Sequence, residues 1–259
     1  MSTFLFDKII FGPVSSRRLG VSLGVNLLPT NLKVCSFDCI YCECGLNPKG
    51  KTAKAELPER NTVKEKLEKV LNKMVNENRL PDVITFAGNG EPTLHPEFDN
   101  IIDDTIELRD KFAPKAKIAV LSNSSRISNT RVFNALLKVD DNILKLDSGI
   151  EETIKLLDRP VGNFSLEKLV DDLKKFQGQL KIQTLFVKGH HNDKIIDNTT
   201  EKEVAEWLKL IEKIKPKEVM IYTIARNTPI KTLEKIEIDK LNEIAKRVEK
   251  LGIATQVSG

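Results

Sequence analysis

An α/β fold built on an open, parallel sheet is predicted from three observations. Short β-rich runs alternate with amphipathic helical stretches from end to end, the pattern of repeated β–α units. The chain has 259 residues, 40% of them hydrophobic and 30% charged, which suffices for a large core and excludes a disordered polymer. Six units can be counted, short of the eight that close a barrel, so the expected architecture is a partial (β/α)6 barrel. With no linker or low-complexity tract, the expectation is one domain over residues 1–259. Its core strands and helices fall within 22–252, and a cysteine loop occupies 29–45.

The first strand candidate is Ser22 to Leu28, and it leads into that loop. Thr62 with Glu65 three residues on reads as a capping box, followed by an apolar stripe of Val63, Leu67, Val70, Leu71 and Met74. Val83 to Ala87 is the second strand, residues near Glu97 to Phe112 a helix, and Lys117 to Ser122 the third strand. Ser128 is the expected cap of a helix that buries Val132, Phe133, Leu136 and Leu137. Asn142 to Asp147 is the fourth strand. Leu166, Leu169, Val170, Leu173 and Phe176 mark the helix before the fifth, Lys181 to Lys188. A second capping box, Thr200 and Glu203, opens the helix carrying Val204, Trp207, Leu208 and Ile211. Glu218 to Ile224 is the sixth strand. A last helix with Leu241, Ile244, Ala245, Val248 and Leu251 stops at Gly252, and Ile253 to Val257 adds a short final strand.

Composition narrows the function classes. Lys plus Arg number 41 against 37 Asp plus Glu, a net charge of +4 that is spread over helix faces rather than gathered into a nucleic-acid footprint. Eleven Phe, two Tyr and one Trp are too few for a platform that stacks single-stranded bases. A nucleic-acid substrate is left open, but charge does not point to one. No apolar run approaches the roughly eighteen residues of a membrane span. Asp7, Lys8 and Pro13 interrupt the N-terminus as a leader, so the expectation is a cytoplasmic protein without a membrane partner.

All four cysteines, Cys35, Cys39, Cys42 and Cys44, fall within ten residues. In a reducing compartment that points to a metal or a cluster rather than disulfides. Cys35, Cys39 and Cys42 have a CxxxCxxC spacing, with which soft thiolates wrap one compact iron–sulfur core. Three ligands on a four-iron cube leave one iron open to something else. On spacing alone two other readings stay open: a zinc-stabilised binding module with Cys44 as fourth ligand, and an electron-transfer cluster with the same four ligands.

With Tyr41 directly before Cys42, the loop resembles the hallmark of the radical S-adenosylmethionine (radical SAM) superfamily. The stretch Gly88-Asn89-Gly90-Glu91-Pro92-Thr93 resembles that family's Gly-Gly-Glu-Pro element at the end of the second strand. The segments beginning at Phe11, Leu121, Lys145, Arg159, Gln183 and Ile221 are similar to the wyosine-synthase-like branch, from which the chain departs in having no cysteines before the loop. The resemblance implies a radical SAM barrel, a 4Fe-4S cluster on Cys35, Cys39 and Cys42, and S-adenosylmethionine on the open iron. It further implies reductive cleavage of that cofactor to a 5′-deoxyadenosyl radical, hydrogen abstraction from a substrate, and an external flavodoxin- or ferredoxin-like electron donor. RNA modification and protein or peptide maturation both fit the reaction class.

Cofactor contacts are expected from Tyr41, Gly88, Asn89, Gly90, Glu91, Ser122, Asn123, Asp147, Gln183 and Tyr222. The glycines permit close backbone approach, and Glu91 can pair a cation. No side chain is assigned a catalytic role. Arg17, Arg18 and Arg226 are candidates for an anionic substrate. His95, His190 and His191 are not spaced as a metal set, and His190-His191 is expected in a loop.

Overall fold

The computed structural model describes residues 4–16, 18–48 and 56–259. The first half contains β1 (Ile10–Ser16), β2 (Gly20–Val25), α1 (Arg60–Asn76), β3 (Val83–Phe86), α2 (Phe98–Phe112), β4 (Lys117–Ser122), α3 (Thr130–Lys138) and β5 (Asp141–Lys145). The second contains α4 (Glu151–Leu157), α5 (Leu166–Lys174), β6 (Lys181–His191), β7 (Lys194–Asp197), α6 (Glu201–Ile214), β8 (Glu218–Thr223), β9 (Leu233–Lys235), α7 (Ile238–Glu249) and β10 (Ala254–Ser258).

Strands β2, β3, β4, β5, β6 and β8 lie side by side, each parallel to its neighbours, and β10 extends the row on β8. At the other end β1 pairs antiparallel with β2. Among the described residues no strand pairing joins β10 to β1, so the sheet is a partial barrel, as expected. The Gln256 side chain on β10 donates to the Arg18 carbonyl across that seam at 3.1 Å.

The core lies between the sheet and its helical jacket. Ile84, Phe86, Ile118, Val120, Leu144 and Ile182 are fully buried against Leu67, Leu71, Ile101, Ile102, Leu173 and Trp207. Each such side chain contributes about 1.5–3 kcal/mol relative to exposure. Trp207 packs edge-on to Phe186, with centroids 5.4 Å apart, and its indole N–H donates to the Leu146 carbonyl at 3.2 Å.

Several expected details are corrected. Helix α1 begins at Arg60, capped by Glu59 with no side-chain bond, so Thr62 and Glu65 lie within its first turns rather than forming a capping box. Arg60, the first residue of the helix, pairs with Asp104 on α2 at 2.6 Å. The cap of α3 is Asn129, not Ser128, and its side chain accepts from the Arg131 and Val132 amides. Thr200 does cap α6, but the Glu203 carboxylate turns away to accept from Ser148 and Thr153, both at 2.6 Å. Elements β1, β7, β9 and α4 were not expected. They are short, or like β1 interrupted by a register shift, so none carries a full hydrophobic period. His190 and His191 sit on β6, paired with Ile195 and Lys194 in a hairpin rather than in a loop.

Candidate functional site

The cysteine loop leaves the C-terminal end of β2 and is fastened at both sides. Val34 bridges Gly90: its N–H donates to the Asn89 carbonyl at 2.9 Å, and its carbonyl accepts from the Glu91 amide at 3.1 Å. Gly90 has φ +139°, and a Cβ there would lie 1.8 Å from the Val34 oxygen, so only glycine allows this approach. On the other side Phe37 bridges Pro160, the Val161 amide donates to the Ser36 carbonyl at 2.8 Å, and Arg159 pairs with Asp38 at 3.1 Å. Phe37, Ile40 and Tyr41 pack with Leu157, Leu185 and Val187 into an apolar cluster above the barrel core.

Within this frame Cys39 is buried, while Cys35, Cys42 and Cys44 are half-buried, and all four are free thiols. Lys33 is 4% exposed, and its ammonium donates to the Gly45 carbonyl at 2.7 Å. Burial alone would lower its pKa, but Cys42, Cys35 and Cys39 together hold it above the ordinary value. Burial raises the Cys35 thiol to about 11 and pushes Cys39 well up. Cys42 moves the other way, held below the usual thiol range by a hydrogen bond from Cys44 and by Lys33. The Cys44 thiol also lies 3.4 Å from the Gly88 carbonyl. Among the described residues no three His, Cys, Asp or Glu side chains converge on a single metal ion.

Below Cys39 lies a buried polar network. The Cys39 thiol donates to Asp158 at 3.2 Å. The Tyr41 hydroxyl donates to Asp158 at 2.7 Å and also bonds Asp147 and Lys145. Lys145 pairs with Asp147 at 2.9 Å and lies 3.7 Å from Asp158. Burial lowers the Lys145 pKa, yet the two carboxylates outweigh it and hold the ammonium well above its ordinary value. Burial and then the Asp147 charge drive Asp158 above the carboxylate range. Asp147 additionally accepts from the Leu185 amide at 2.9 Å, and Asn198 donates to its backbone carbonyl at 2.9 Å.

The turn after β3 is equally constrained. Glu91 is 2% exposed and accepts from the Thr93 amide, the Thr93 hydroxyl, the Ser122 hydroxyl and the Asn123 amide. Burial raises its pKa despite these four donors. The Asn123 amide group donates to Ser36 at 3.0 Å and reaches the Cys35 sulfur at 3.5 Å. Asn89 is fully buried and joined to the backbone of Phe6 and Pro29 by three bonds of 2.8 Å. A Cβ on Gly88 would meet the Asn26 side chain at 2.2 Å.

Cys35, Cys39, Cys42, Tyr41, Asn123 and Asp147 therefore form one contiguous group with the Gly88–Glu91 turn. Gln183 on β6 is buried and Tyr222 on β8 is half-buried. Burial raises the Tyr222 hydroxyl to about 12, and the Arg18 guanidinium lies 4.7 Å from its ring centre. Arg226 pairs with Glu43 at 2.8 Å at the rim, and Arg17 lies outside the described residues. His95 bonds the Pro58 carbonyl at 2.9 Å, away from the cysteines. Lys33, Asp158 and Asn198 escaped the sequence reading. Lys33 stands two residues before Cys35, and Asp158 directly precedes the Arg159-Pro160 pair, which are the signals that could have found them.

Residues 32–198 match the family model described as the radical SAM superfamily. A protein named GTPase Obg from Brachyspira hyodysenteriae is 30% identical over 249 residues, covering 95% of this chain and 34% of that protein. A UPF0026 protein from Helicobacter pylori strain J99 is 34% identical over 238 residues, covering 90% of this chain and 71% of the relative. The chain thus spans about a third of the first relative's length and about seven-tenths of the second's. In fold it is similar to a radical SAM methyltransferase from Sphaerobacter thermophilus, with a TM-score of 0.66 and 12% identity over 92% of this chain and 65% of that one. It is also similar to TYW1 with a lysine-pyruvate adduct bound, with a TM-score of 0.61 and 15% identity over 88% of this chain and 73% of that one.

Proposed function

From the premise that this chain belongs to the radical SAM superfamily and to the UPF0026 family, we propose that it is an enzyme that binds a 4Fe-4S cluster on Cys35, Cys39 and Cys42 and S-adenosylmethionine beside it. The bound pair supplies one-electron cleavage of the cofactor and a 5′-deoxyadenosyl radical that removes hydrogen from substrate. The observation that carries this reading is the cysteine loop itself: it is fastened to Gly90 on one side and Pro160 on the other, and it holds Cys35, Cys39 and Cys42 as free thiols at the strand ends with the buried Lys33 two residues before the first of them.

The chain's own residues have separable tasks in this reading. The Gly88–Glu91 turn and Asn123 position the loop beside the cofactor; glycine at 90 keeps the approach of Val34 open, and glycine at 88 leaves room for the Asn26 side chain. Tyr41, Lys145, Asp147 and Asp158 hold Cys39 from below. Ser122 and Asn89 support the turn, and Gln183 on β6 and Tyr222 on β8 would line the barrel beside the bound nucleoside. The uninterrupted sheet supports reading residues 1–259 as a single domain. An external flavodoxin- or ferredoxin-like protein supplies the electron, and the cytoplasm is the compartment that keeps these thiols reduced. No helix among the described residues is long and apolar enough to cross a membrane.

Anaerobic reconstitution tests the reading. Wild type and Cys44→Ala load iron and sulfide alike and form 5′-deoxyadenosine under strong reductant, whereas Cys42→Ala does neither. Loss of the cluster in Cys44→Ala would make Cys44 the fourth ligand and leave an electron-transfer protein.

A further inference from the structure

Resting on the radical SAM reading, we propose that the cavity at the barrel's open edge is a substrate subsite for a carboxylate carried on an apolar body, with Arg18 as the residue that grips it. The cavity has a volume of about 690 Å3, within the range of roughly 300–1,000 Å3 typical of small-molecule sites. Phe6, Phe11, Val14 and Leu121 contribute apolar walls, and Ser22 and Thr85 lie among the strands behind them. The Phe6 and Phe11 rings stack with centroids 3.8 Å apart. Gly24 makes room for that stack, because a Cβ there would lie 2.1 Å from the Phe11 ring. Ser22 and Thr85 bond each other at 2.8 Å and so satisfy their own hydroxyls.

Arg18 is the group this lining leaves unanswered. Its guanidinium lies on the Tyr222 ring, but Nη1 is buried and has no hydrogen-bond acceptor among the described residues. A charged donor enclosed without an acceptor is costly, and a planar fork stacked on an aromatic ring is preset for a planar anion. The other cation of the cavity, Arg226, is already matched by Glu43 at 2.8 Å. One uncompensated positive charge calls for one negative charge. A carboxylate supplies it, whereas a phosphate monoester, at roughly −1.5 to −2, would exceed it. Glu43 stands at the rim between Cys42 and Cys44, so the cavity opens beside the cysteine loop.

Isothermal titration calorimetry on the full chain tests this with 3-phenylpropionate, the isosteric 3-phenylpropionamide and phenyl phosphate, each with and without S-adenosylmethionine. The acid is expected to bind at least about tenfold tighter than the amide or the phosphate. Arg18→Met is expected to erase that preference while leaving amide binding in place. Leu121→Phe, which takes volume from the cavity and leaves Arg18 in the chain, is expected to weaken acid and amide together. Equal binding of acid and amide, a preference that survives Arg18→Met, tighter binding of the phosphate, full acid affinity in Leu121→Phe, or binding of none of the three would each overturn the proposal. Displacement of the acid by S-adenosylmethionine would do so as well, by assigning Arg18 to the cofactor's own carboxylate. Because the readout needs no turnover, a chain that cleaves S-adenosylmethionine yet ignores the acid sinks this inference alone. One that binds the acid without cleaving the cofactor sinks the radical reading alone.

Discussion

The Glu91 carboxylate accepts the Asn123 backbone N–H at 2.6 Å, tying the turn after β3 to the turn after β4. Its second oxygen takes Ser122 at 2.9 Å and Thr93 from two donors, so both oxygens are committed. Two adjacent strand ends are thereby fixed to each other by a single side chain, and both of them border Cys35.

Glu91→Gln places an amide NH2 against donors that need an acceptor. Each buried donor left unanswered costs about 1–3 kcal/mol. The variant is expected to lose about 2–3 kcal/mol of stability, and the Asn123 amide is expected to exchange faster with solvent. Thermal denaturation and amide hydrogen exchange read both effects, and an unchanged Asn123 amide would refute the role assigned to Glu91.

Gly90→Ala tests the contact that anchors the loop. A Cβ 1.8 Å from the Val34 carbonyl oxygen cannot be accommodated without moving backbone, and φ +139° is itself strained for alanine. The expected outcome is a folded barrel with a displaced cysteine loop. Circular dichroism should be retained while iron and sulfide incorporation falls severely, and normal loading would count against the close approach.

Cys39→Ala removes the most enclosed of the three proposed ligands. Iron loading and 5′-deoxyadenosine formation should both disappear, measured by iron analysis and chromatography of the reaction mixture. Persistent deoxyadenosine in that variant would remove Cys39 from the cluster assignment.

Asp141 provides a pH test remote from the cysteines. It lies 3.2 Å from Lys181 and 3.1 Å from Lys217, and Lys181 also pairs with Glu218 at 2.7 Å. Burial raises the Asp141 pKa, but the two lysines outweigh it and hold it below the ordinary carboxylate value. A carboxylate depressed on folding stabilises fully above its unfolded pKa of about 3.9, and the contribution disappears as pH falls through the lower folded value. Asp141→Asn is therefore expected to lose about 2 kcal/mol near neutrality, roughly 4–8 °C in Tm. The gap to wild type should narrow as the pH is taken below about 4. A gap of the same size under acid conditions would show that the ion pairs are not its source.

Much of this was legible in the sequence because it is local. The CxxxCxxC spacing and the Gly88–Glu91 turn are short motifs whose backbone demands show in the residue types themselves. The parallel strands announce themselves as β-branched runs between helical stripes. What escaped depends on distance. Asp158 is a neighbour of Cys39 because the segment following α4 folds back under the loop, 119 residues along the chain. Lys33 reads as an ordinary surface lysine until its burial is known. Helix α1 starts at Arg60, whose partner Asp104 lies on α2, outside any local window. Strand β1, with its register shift, lacks the alternation that would have marked it.

Asn89 makes the stability of the cysteine loop a shared property. One side-chain amide is bonded to Phe6 near the amino end and to Pro29 just ahead of the loop, while its backbone carbonyl receives Val34. Three stretches of polypeptide are thus gated by a single residue, and fraying any one of them releases hydrogen bonds in the others. The cysteine loop is therefore tied through one residue to two segments that precede it, so whatever loosens the β3 terminus loosens the loop as well.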